Sequence, residues 1–278
     1  MKRIAVINDI SGFGRCSLTA ALPVISALGV ECCPLPTAVL SNQTGYKSYH
    51  CIDLTDELES YADEWKKLGY KFDAIMTGYI ASEKQADLIL KFIDDFKTDT
   101  TKLIVDPVMA DDGKIYGTYS KELCKKVVEL SRKANIITPN ITELCILTGT
   151  NYETIISKKD ESSYLNYVAD IAGALLSDNL KSIIVTGVVT SGSICNILVE
   201  RDGISVARSE IFGGSYSGTG DLFASVISAE VAKGTSLVYA IELATKFLEK
   251  SIKSSFREGT DRNDGVNFEN CLEMLTNE

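Results

Sequence analysis

The sequence predicts an α/β fold, a doubly wound sandwich in which a central, mostly parallel sheet carries helices on both faces. Two observations predict it. Short apolar runs rich in Ile, Val and Cys recur along the chain, and amphipathic stretches with helical spacing lie between them. Several of the runs are apolar at nearly every position, the pattern of parallel strands covered on both sides.

The elements follow in order. Ile4–Asn8 reads as a first buried strand, and its apolar run is far too short for a signal peptide or a membrane helix. Leu18–Leu28 is apolar enough for a helix, which Pro23 is expected to kink or to begin. Cys32–Ala38 is a second strand. Ser41–Tyr49 is polar, aromatic and too long for a plain turn. Glu57–Leu68 follows the helix-start signal Thr55-Asp56. The stretch from Leu40 to Ala74 thus holds a helix and little room for extra strands. Ala74–Thr77 is a strand, and Ser82–Phe96 sets Leu88, Phe92 and Phe96 at helical spacing. Leu103–Val105 and Ile136–Thr138 are strands flanking a helix at Ser120–Ser131. Tyr164–Leu176 is a helix, and Ser157–Glu161 before it is a solvated loop. Ile183–Thr186, Cys195–Val199 and a run near Ser205–Ile211 are strands. Leu222–Ala232 and Leu237–Ser254 are helices, and Phe268–Leu275 is a short amphipathic tail. No Pro- or Ser-rich linker and no repeat divides the chain, so residues 1–278 are read as one domain.

Composition narrows the function. Of the 278 residues, 45% are hydrophobic and 24% charged, with a net charge of −10. That balance disfavours nucleic-acid binding, which needs Lys and Arg to replace phosphate counterions. No stretch reaches the roughly 18 apolar residues of a membrane span, so a soluble, cytoplasmic protein is expected. Eight cysteines occur without a CxxC pair or a Cys/His cluster, and they read as reduced thiols acting as small core residues. His50 is the single histidine, which removes His-based triads and His-rich metal sites.

Ligands of such folds sit at the carboxyl ends of the strands, and the polar residues there carry the chemical signal. Phe212-Gly213-Gly214-Ser215-Tyr216-Ser217-Gly218-Thr219-Gly220-Asp221 runs from a glycine-dense loop into an apolar helix. Its N–H groups and the helix N-terminus form an anion pocket suited to a transferring phosphoryl group. Asp221, in the first turn, is placed to take a proton from an attacking hydroxyl; a plain glycine-rich turn is the alternative. Val105-Asp106-Pro107 ends one strand, and Thr138-Pro139-Asn140-Ile141-Thr142-Glu143 ends another. Asp106, Asn140 and Glu143 supply the oxygen atoms that Mg²⁺ prefers, although Asn140 and Glu143 also fit a capping box. Asn8-Asp9-Ile10-Ser11-Gly12-Phe13-Gly14 is neither a P-loop nor GxGxxG and reads as a polar loop over a small organic substrate. Thr37 and Gly78-Tyr79 face the same crevice, with Tyr79 either laid against a flat ligand or, on the residues alone, an ordinary core aromatic. Thr186-Gly187 is placed to touch nucleotide phosphate. The segment around Ser41, Asn42, Thr44 and Tyr46 is a candidate flap, with a surface excursion or a dimer contact as the alternative.

These motifs, in this order, resemble the ribokinase-like superfamily and, within it, the pyridoxal (vitamin B6) kinases. Gly218-Thr219-Gly220-Asp221 is similar to the family's anion hole and catalytic base. Asp106-Pro107-Val108-Met109 resembles its strand-end motif near Mg-ATP, and Thr138-Pro139-Asn140 with Glu143 its metal and phosphate motif. Thr37 through Thr44 resembles the segment with a substrate-contacting Thr and a Ser-Asn-x-Thr flap. Gly78-Tyr79-Ile80 resembles the turn whose Tyr packs on the pyridine ring. The resemblance implies a three-layer α/β/α sandwich, ATP with Mg²⁺ and often K⁺, a homodimer, and phosphorylation of a B6 vitamer. It implies ATP contacts at Asp106, Asn140, Thr186, Gly187 and Gly218, and metal contacts at Asp106 and Glu143. The first loop departs from the family's Ser-His start and Gly-Asn pair and somewhat resembles hydroxymethylpyrimidine kinases. Asp9 or Ser11 is expected at the ring nitrogen. The rivals are hydroxymethylpyrimidine kinase, a sugar kinase, and a non-catalytic B6-binding sensor or carrier.

Overall fold

The computed structural model describes residues 1–276. Strands form where the apolar runs lie: β1 (Arg3–Ser11), β2 (Glu31–Leu40), β3 (Cys51–Asp53), β4 (Ala74–Thr77), β5 (Lys102–Val105), β6 (Ala110–Asp111), β7 (Lys114–Ile115), β8 (Ile136–Ile137), β9 (Ser182–Val189), β10 (Ile194–Glu200) and β11 (Gly203–Ser209). The helices are α1 (Ser17–Ala27), α2 (Leu58–Lys67), α3 (Glu83–Phe96), α4 (Lys121–Lys133), α5 (Ile141–Thr148), α6 (Tyr152–Ile156), α7 (Tyr164–Gly173), α8 (Thr219–Lys233), α9 (Leu237–Glu258) and α10 (Glu273–Thr276).

Nine strands make one sheet in the order β11-β10-β9-β8-β5-β4-β1-β2-β3. The six central strands, β9 to β2, run parallel, and β3, β10 and β11 add antiparallel edges. Alternation along β1 explains the layers. Ala5 and Ile7 enter the core beneath α2, α3, α4, α5 and α7, whereas Ile4 and Val6 enter the core beneath α1, α8 and α9. Side chains of a strand point to opposite faces in turn, so a run apolar at every position needs helices on both sides. The chain leaves β1 for β2 on one side and later returns to β4 on the other, and the reversal opens a crevice at the strands' carboxyl ends.

Local chemistry sets several boundaries. Ser82 and Ser120 cap α3 and α4, each accepting a backbone N–H from three residues on. Asp112-Gly113, with φ of 48° and 75°, turns the β6–β7 hairpin. Two expectations need correction. Pro23 does not begin the first helix; α1 starts six residues earlier and runs through it. Its buried face of Leu18, Ala21, Val24 and Ile25 packs into the core, and Thr19, whose carbonyl the proline leaves unpaired, is exposed to water. The Leu40–Ala74 stretch also holds an extra strand, β3, paired to the outer edge of β2. No helix among the described residues is long and apolar enough to cross a membrane.

Candidate active site

A cavity of about 1020 Å³ opens at the carboxyl ends of β1, β4, β5, β8 and β9. Asp221, Gly218, Thr219 and Gly220 line it together with Asp9, Ser11, Tyr79, Asp106, Asn140, Glu143, Thr186 and Gly187. The fold therefore gathers nearly all the sequence-predicted residues into one space.

Gly218 is the N-cap of α8, in the left-handed region at φ 79°. A Cβ there would stand 1.9 Å from the Arg15 carbonyl oxygen and 2.9 Å from the Cys16 Cα. Only glycine lets the anion loop lie against the first loop this closely. No side chain caps the helix, so the N–H groups of its first turn are left for a ligand. The Thr219 hydroxyl turns back to the Tyr216 carbonyl at 3.3 Å.

Asn8 holds the Asp221 carboxylate, its Nδ2 reaching Oδ1 at 3.0 Å. The Asn8 amide is itself locked. Its Oδ1 accepts the N–H groups of Asp9 and Tyr79, each at 3.0 Å, so its NH₂ must face Asp221. Gly78 makes room for it, since a Cβ there would meet Asn8 Nδ2 at 2.4 Å. Burial pushes the Asp221 carboxyl up to about 6; the Asp9 charge adds to the rise, and the nearby Ser17 N–H dipole and the Asn8 hydrogen bond oppose it.

Asp106 follows β5 and accepts the Thr138 hydroxyl at 3.0 Å. Its Oδ2 lies 3.6 Å from where a Cβ on Gly220 would stand, directly beside the anion loop. Burial, then the charge of Asp221, push it up to about 7. Asn140 and Glu143 form a full capping box on α5: Asn140 Oδ1 accepts Glu143 N–H, and Glu143 Oε2 accepts Asn140 N–H, both at 2.9 Å. Glu143 Oε1 also takes Met109 N–H at 3.1 Å, and Asn140 Nδ2 donates to the Ala110 carbonyl at 2.8 Å. Glu143 thus ties the loop after Asp106 through Oε1 to the start of α5 through Oε2, and burial followed by the Asp106 charge raises that carboxyl well above its ordinary value. Among the described residues no group of three or more acidic, His or Cys side chains is arranged to hold a metal ion. Thr186 and Gly187 line the cavity, but the Gly187 N–H is taken by Asn196 Oδ1 at 3.0 Å.

On the other side of Asp221, Asp9 accepts Ser11 Oγ at 3.0 Å and Ser17 Oγ at 2.6 Å. Desolvation is the main reason its carboxyl is raised. Tyr79 lines the cavity and packs edge-on against Tyr119 with centroids 5.8 Å apart. Thr37 does not. It is fully buried at the bulge where β2 fits an extra residue against β1, its hydroxyl has no protein partner, and its carbonyl takes Gln85 and Leu54. Thr37 therefore lies outside the cavity that Tyr79 lines, and the ring contact expected from it is not offered by this geometry.

Of the four flap residues, Thr44 alone lines the cavity. Ser41 and Asn42 shape the loop from within, through Ser41 Oγ to Asn42 Oδ1 at 2.7 Å and Asn42 Nδ2 to the Ser48 carbonyl at 2.8 Å. Tyr46 bonds Asp264. Gln43, inside the same segment, donates to Asn263 and to Ser217 Oγ at 3.3 Å. Arg15 N–H reaches the Asp264 carbonyl at 3.1 Å, and Ser217 N–H the Arg262 carbonyl at 3.1 Å. The turn at 261–265 thereby fastens the flap, the first loop and the anion loop together. Sequence reasoning overlooked Asn8, Ser17, Gln43 and this turn. Asn8 had a signal, a polar side chain ending a buried strand; the others had none nearby. Lys159, read as part of a solvated loop, stands on the rim of the cavity.

With this geometry in hand, three comparisons bear on the chain. Residues 14–266 match the phosphomethylpyrimidine kinase family. A candidate phosphomethylpyrimidine kinase from Bacteroides thetaiotaomicron is 36% identical and superimposes with a TM-score of 0.89 over 100% of this chain and 94% of that one. A second crystal form of it, with pyridoxal, gives 0.86 at 35% identity, over 99% and 95% of the two chains. The pyridoxine/pyridoxal/pyridoxamine kinase of Bordetella avium is 28% identical over 86% of this chain and 81% of its own length. The chloroplastic thiamine biosynthetic bifunctional enzyme of Arabidopsis thaliana is also 28% identical, over 91% of this chain, which spans only 46% of that longer protein.

Proposed function

The chain belongs to the phosphomethylpyrimidine kinase family, and from that premise we propose that it transfers the γ-phosphoryl group of ATP to the hydroxymethyl group of a B6 vitamer: pyridoxal, pyridoxine or pyridoxamine. Its relatives are kinases that phosphorylate an alcohol, and so is this chain. The B6 substrate is supported by the vitamers named for the Bordetella enzyme and by the pyridoxal of the Bacteroides crystal form.

The observation that carries the mechanism is the fixed carboxylate of Asp221 at the uncapped start of α8. Asp221 takes the proton of the attacking hydroxyl. The N–H groups of Thr219, Gly220 and Asp221 stabilise the charge that builds on the migrating phosphoryl group. Asp9, Ser11 and Tyr79 hold the ring beside it, and Thr44 and Gln43 exclude water from above. Asn140, Thr186 and Gly218 lie on the nucleotide side of the cavity. The residues fit Mg²⁺: Asp106 is a buried carboxylate raised by its surroundings, with an oxygen aimed beside the anion loop, and hard oxygen donors suit that ion. Asp106 would hold it directly and Glu143 through water, because both Glu143 oxygens already accept N–H groups. When bound, Mg²⁺ neutralises phosphate charge. K⁺ dependence belongs to the same proposal, as does a cytoplasmic setting. So does a homodimer through the β2–β3 edge, where Val39 and Ile52 pair across the strands yet stand 40% and 52% exposed.

Asp221→Ala with ATP, Mg²⁺ and pyridoxal tests the reading. Removal of a general base costs about 10²–10⁴ in rate, and near-normal turnover would remove Asp221 from that role. Hydroxymethylpyrimidine is the second substrate reading, favoured by the family description and the thiamine-pathway relative. Parallel kcat/KM values for pyridoxal and hydroxymethylpyrimidine decide between them.

A further inference from the structure

We propose that Asn196 is a positioning residue for the nucleotide: its amide ties a bulge in β9 to α9 and so sets where the phosphate chain of ATP lies. The proposal rests on the kinase reading above. The ladder between β9 and β10 slips at one place, where Cys195 faces Val188 and Ile197 faces Val185. Thr186 and Gly187 therefore stand together opposite Asn196, one residue more than a regular ladder holds. The packing agrees. Val185 and Val188, three positions apart, enter the same core, whereas unbroken alternation would send them to opposite faces. Gly187 makes the turn at φ 66°, a conformation that favours glycine. The bulge falls where β9 reaches the cavity, and both of its residues line that space.

A bulge takes backbone groups out of the ladder, and Asn196 receives one of them. Its Oδ1 accepts the Gly187 N–H at 3.0 Å, and its Nδ2 donates to Thr245 Oγ1 at 2.9 Å. Thr245 Oγ1 in turn donates to the Ile241 carbonyl within α9 at 2.6 Å. The Thr245 hydrogen is thus spent, its oxygen is left to accept, and the amide is oriented from both ends. Asn196 and Thr245 are 6% and 3% exposed, so bulk water replaces neither bond. From the other side, the Thr186 N–H reaches the Pro139 carbonyl at 2.9 Å, next to Asn140. The Thr186 hydroxyl itself has no hydrogen-bond partner among the described residues. The second bond of the amide sets the bulge against the wall that Thr245, Leu248 and Ile252 of α9 give the cavity. A phosphate chain lying in this cleft meets the Thr186 hydroxyl at a depth that Asn196 fixes.

The test compares Asn196→Ala, Thr245→Val, Thr186→Ala and Asn196→Ala/Thr186→Ala. Each is read by its Kd for ATP with Mg²⁺, from titration calorimetry, and by its KM for pyridoxal or hydroxymethylpyrimidine, whichever the wild-type chain phosphorylates. Asn196→Ala is expected to weaken ATP binding roughly tenfold, the size of one or two neutral hydrogen bonds. KM for the alcohol should stay within about twofold of wild type, because the ring pocket shares no partner with Asn196. Thr245→Val keeps the shape of the side chain and loses only the hydroxyl that receives Nδ2; it should weaken ATP roughly threefold. Should Asn196→Ala fail to fold, Thr245→Val carries the same decision. Beside Thr186→Ala, the loss of Asn196 should add less than about twofold, because it acts through that hydroxyl. A residue that merely fills a bulge would lower the thermal midpoint and leave Kd for ATP unmoved. That result overturns the proposal, as does an equal weakening for both substrates or an undiminished Asn196→Ala effect beside Thr186→Ala. In each of these outcomes the kinase reading stands. A wild-type chain that binds no ATP overturns both.

Discussion

Asp221→Asn should make the protein more stable at neutral pH while disabling it. The carboxyl moves from an ordinary 3.8 to about 6 on folding, chiefly through burial. Roughly 2 pKa units at about 1.36 kcal/mol each give a ceiling of ~3 kcal/mol. The sign follows from the direction of the shift. A carboxyl raised in the folded state binds its proton more tightly there than in the unfolded chain. Its favourable contribution is whole below the unfolded value and is lost as pH climbs through the folded one. Above pH ~6 the folded protein carries the full cost of a buried charge, and an uncharged amide removes that cost. Asp221 is partly open to the cavity, so water trims the ceiling, and a gain of about 1–3 kcal/mol is expected near pH 7.5. Near pH 4 the gain should shrink to below ~1 kcal/mol, because the wild-type carboxyl is then protonated in the folded chain. The assay is urea unfolding of both chains, free of nucleotide and substrate, at the two pH values. A variant no more stable near neutrality, or one whose gain is the same at both, refutes the account of Asp221 as a strained, desolvated acid.

Two further outcomes follow from the same geometry. Asn8→Ala removes a hydrogen bond to a charged group, worth about 1.5–3 kcal/mol; the acid limb of kcat/KM should therefore move from about 6 upward by roughly 1–2 units, with activity recovering in alkaline buffer, and a loss that is uniform in pH would contradict it. Gly218→Ala would force a Cβ to within 1.9 Å of the Arg15 carbonyl; the loops must part, and turnover should fall by about 10² or more through misplacement of the anion loop, as steady-state assays will read directly.

The legibility of the fold tracks how local each cause is. Ser82 and Ser120 announce their helices because a cap is decided within four residues, and β1, β4 and β5 announce themselves because burial on both faces keeps their centres, Ile4–Ile7, Ala74–Met76 and Leu103–Val105, apolar throughout. Asp112-Gly113 carried an equally local hairpin signal that a search for long strands passes over. Pro23 misled because propensity describes an isolated helix, whereas α1 is held by the core. At the site, Asp106, Asn140, Glu143 and Asp221 were legible because each ends a strand or begins a helix, and the sheet brings such ends together. Thr37 had the same address but sits at a bulge, and a one-residue change of register decides which way a side chain looks. Asn8 matters through Asp221, more than two hundred positions away, and no short pattern announces a contact of that reach.

The fastening turn at 261–265 has a consequence for the order in which the protein comes into being. It follows all eleven strands in the chain, yet it ties down the flap, the first loop and the anion loop. A nascent chain emerging from its amino end can assemble the whole sheet, and even bring Asp221 to Asn8, while the mouth of the cavity still lacks its fastening. The turn, made after every strand of the sheet, then acts as a completion signal: a ligand would meet a finished mouth only once residues 261–265 had been laid across it.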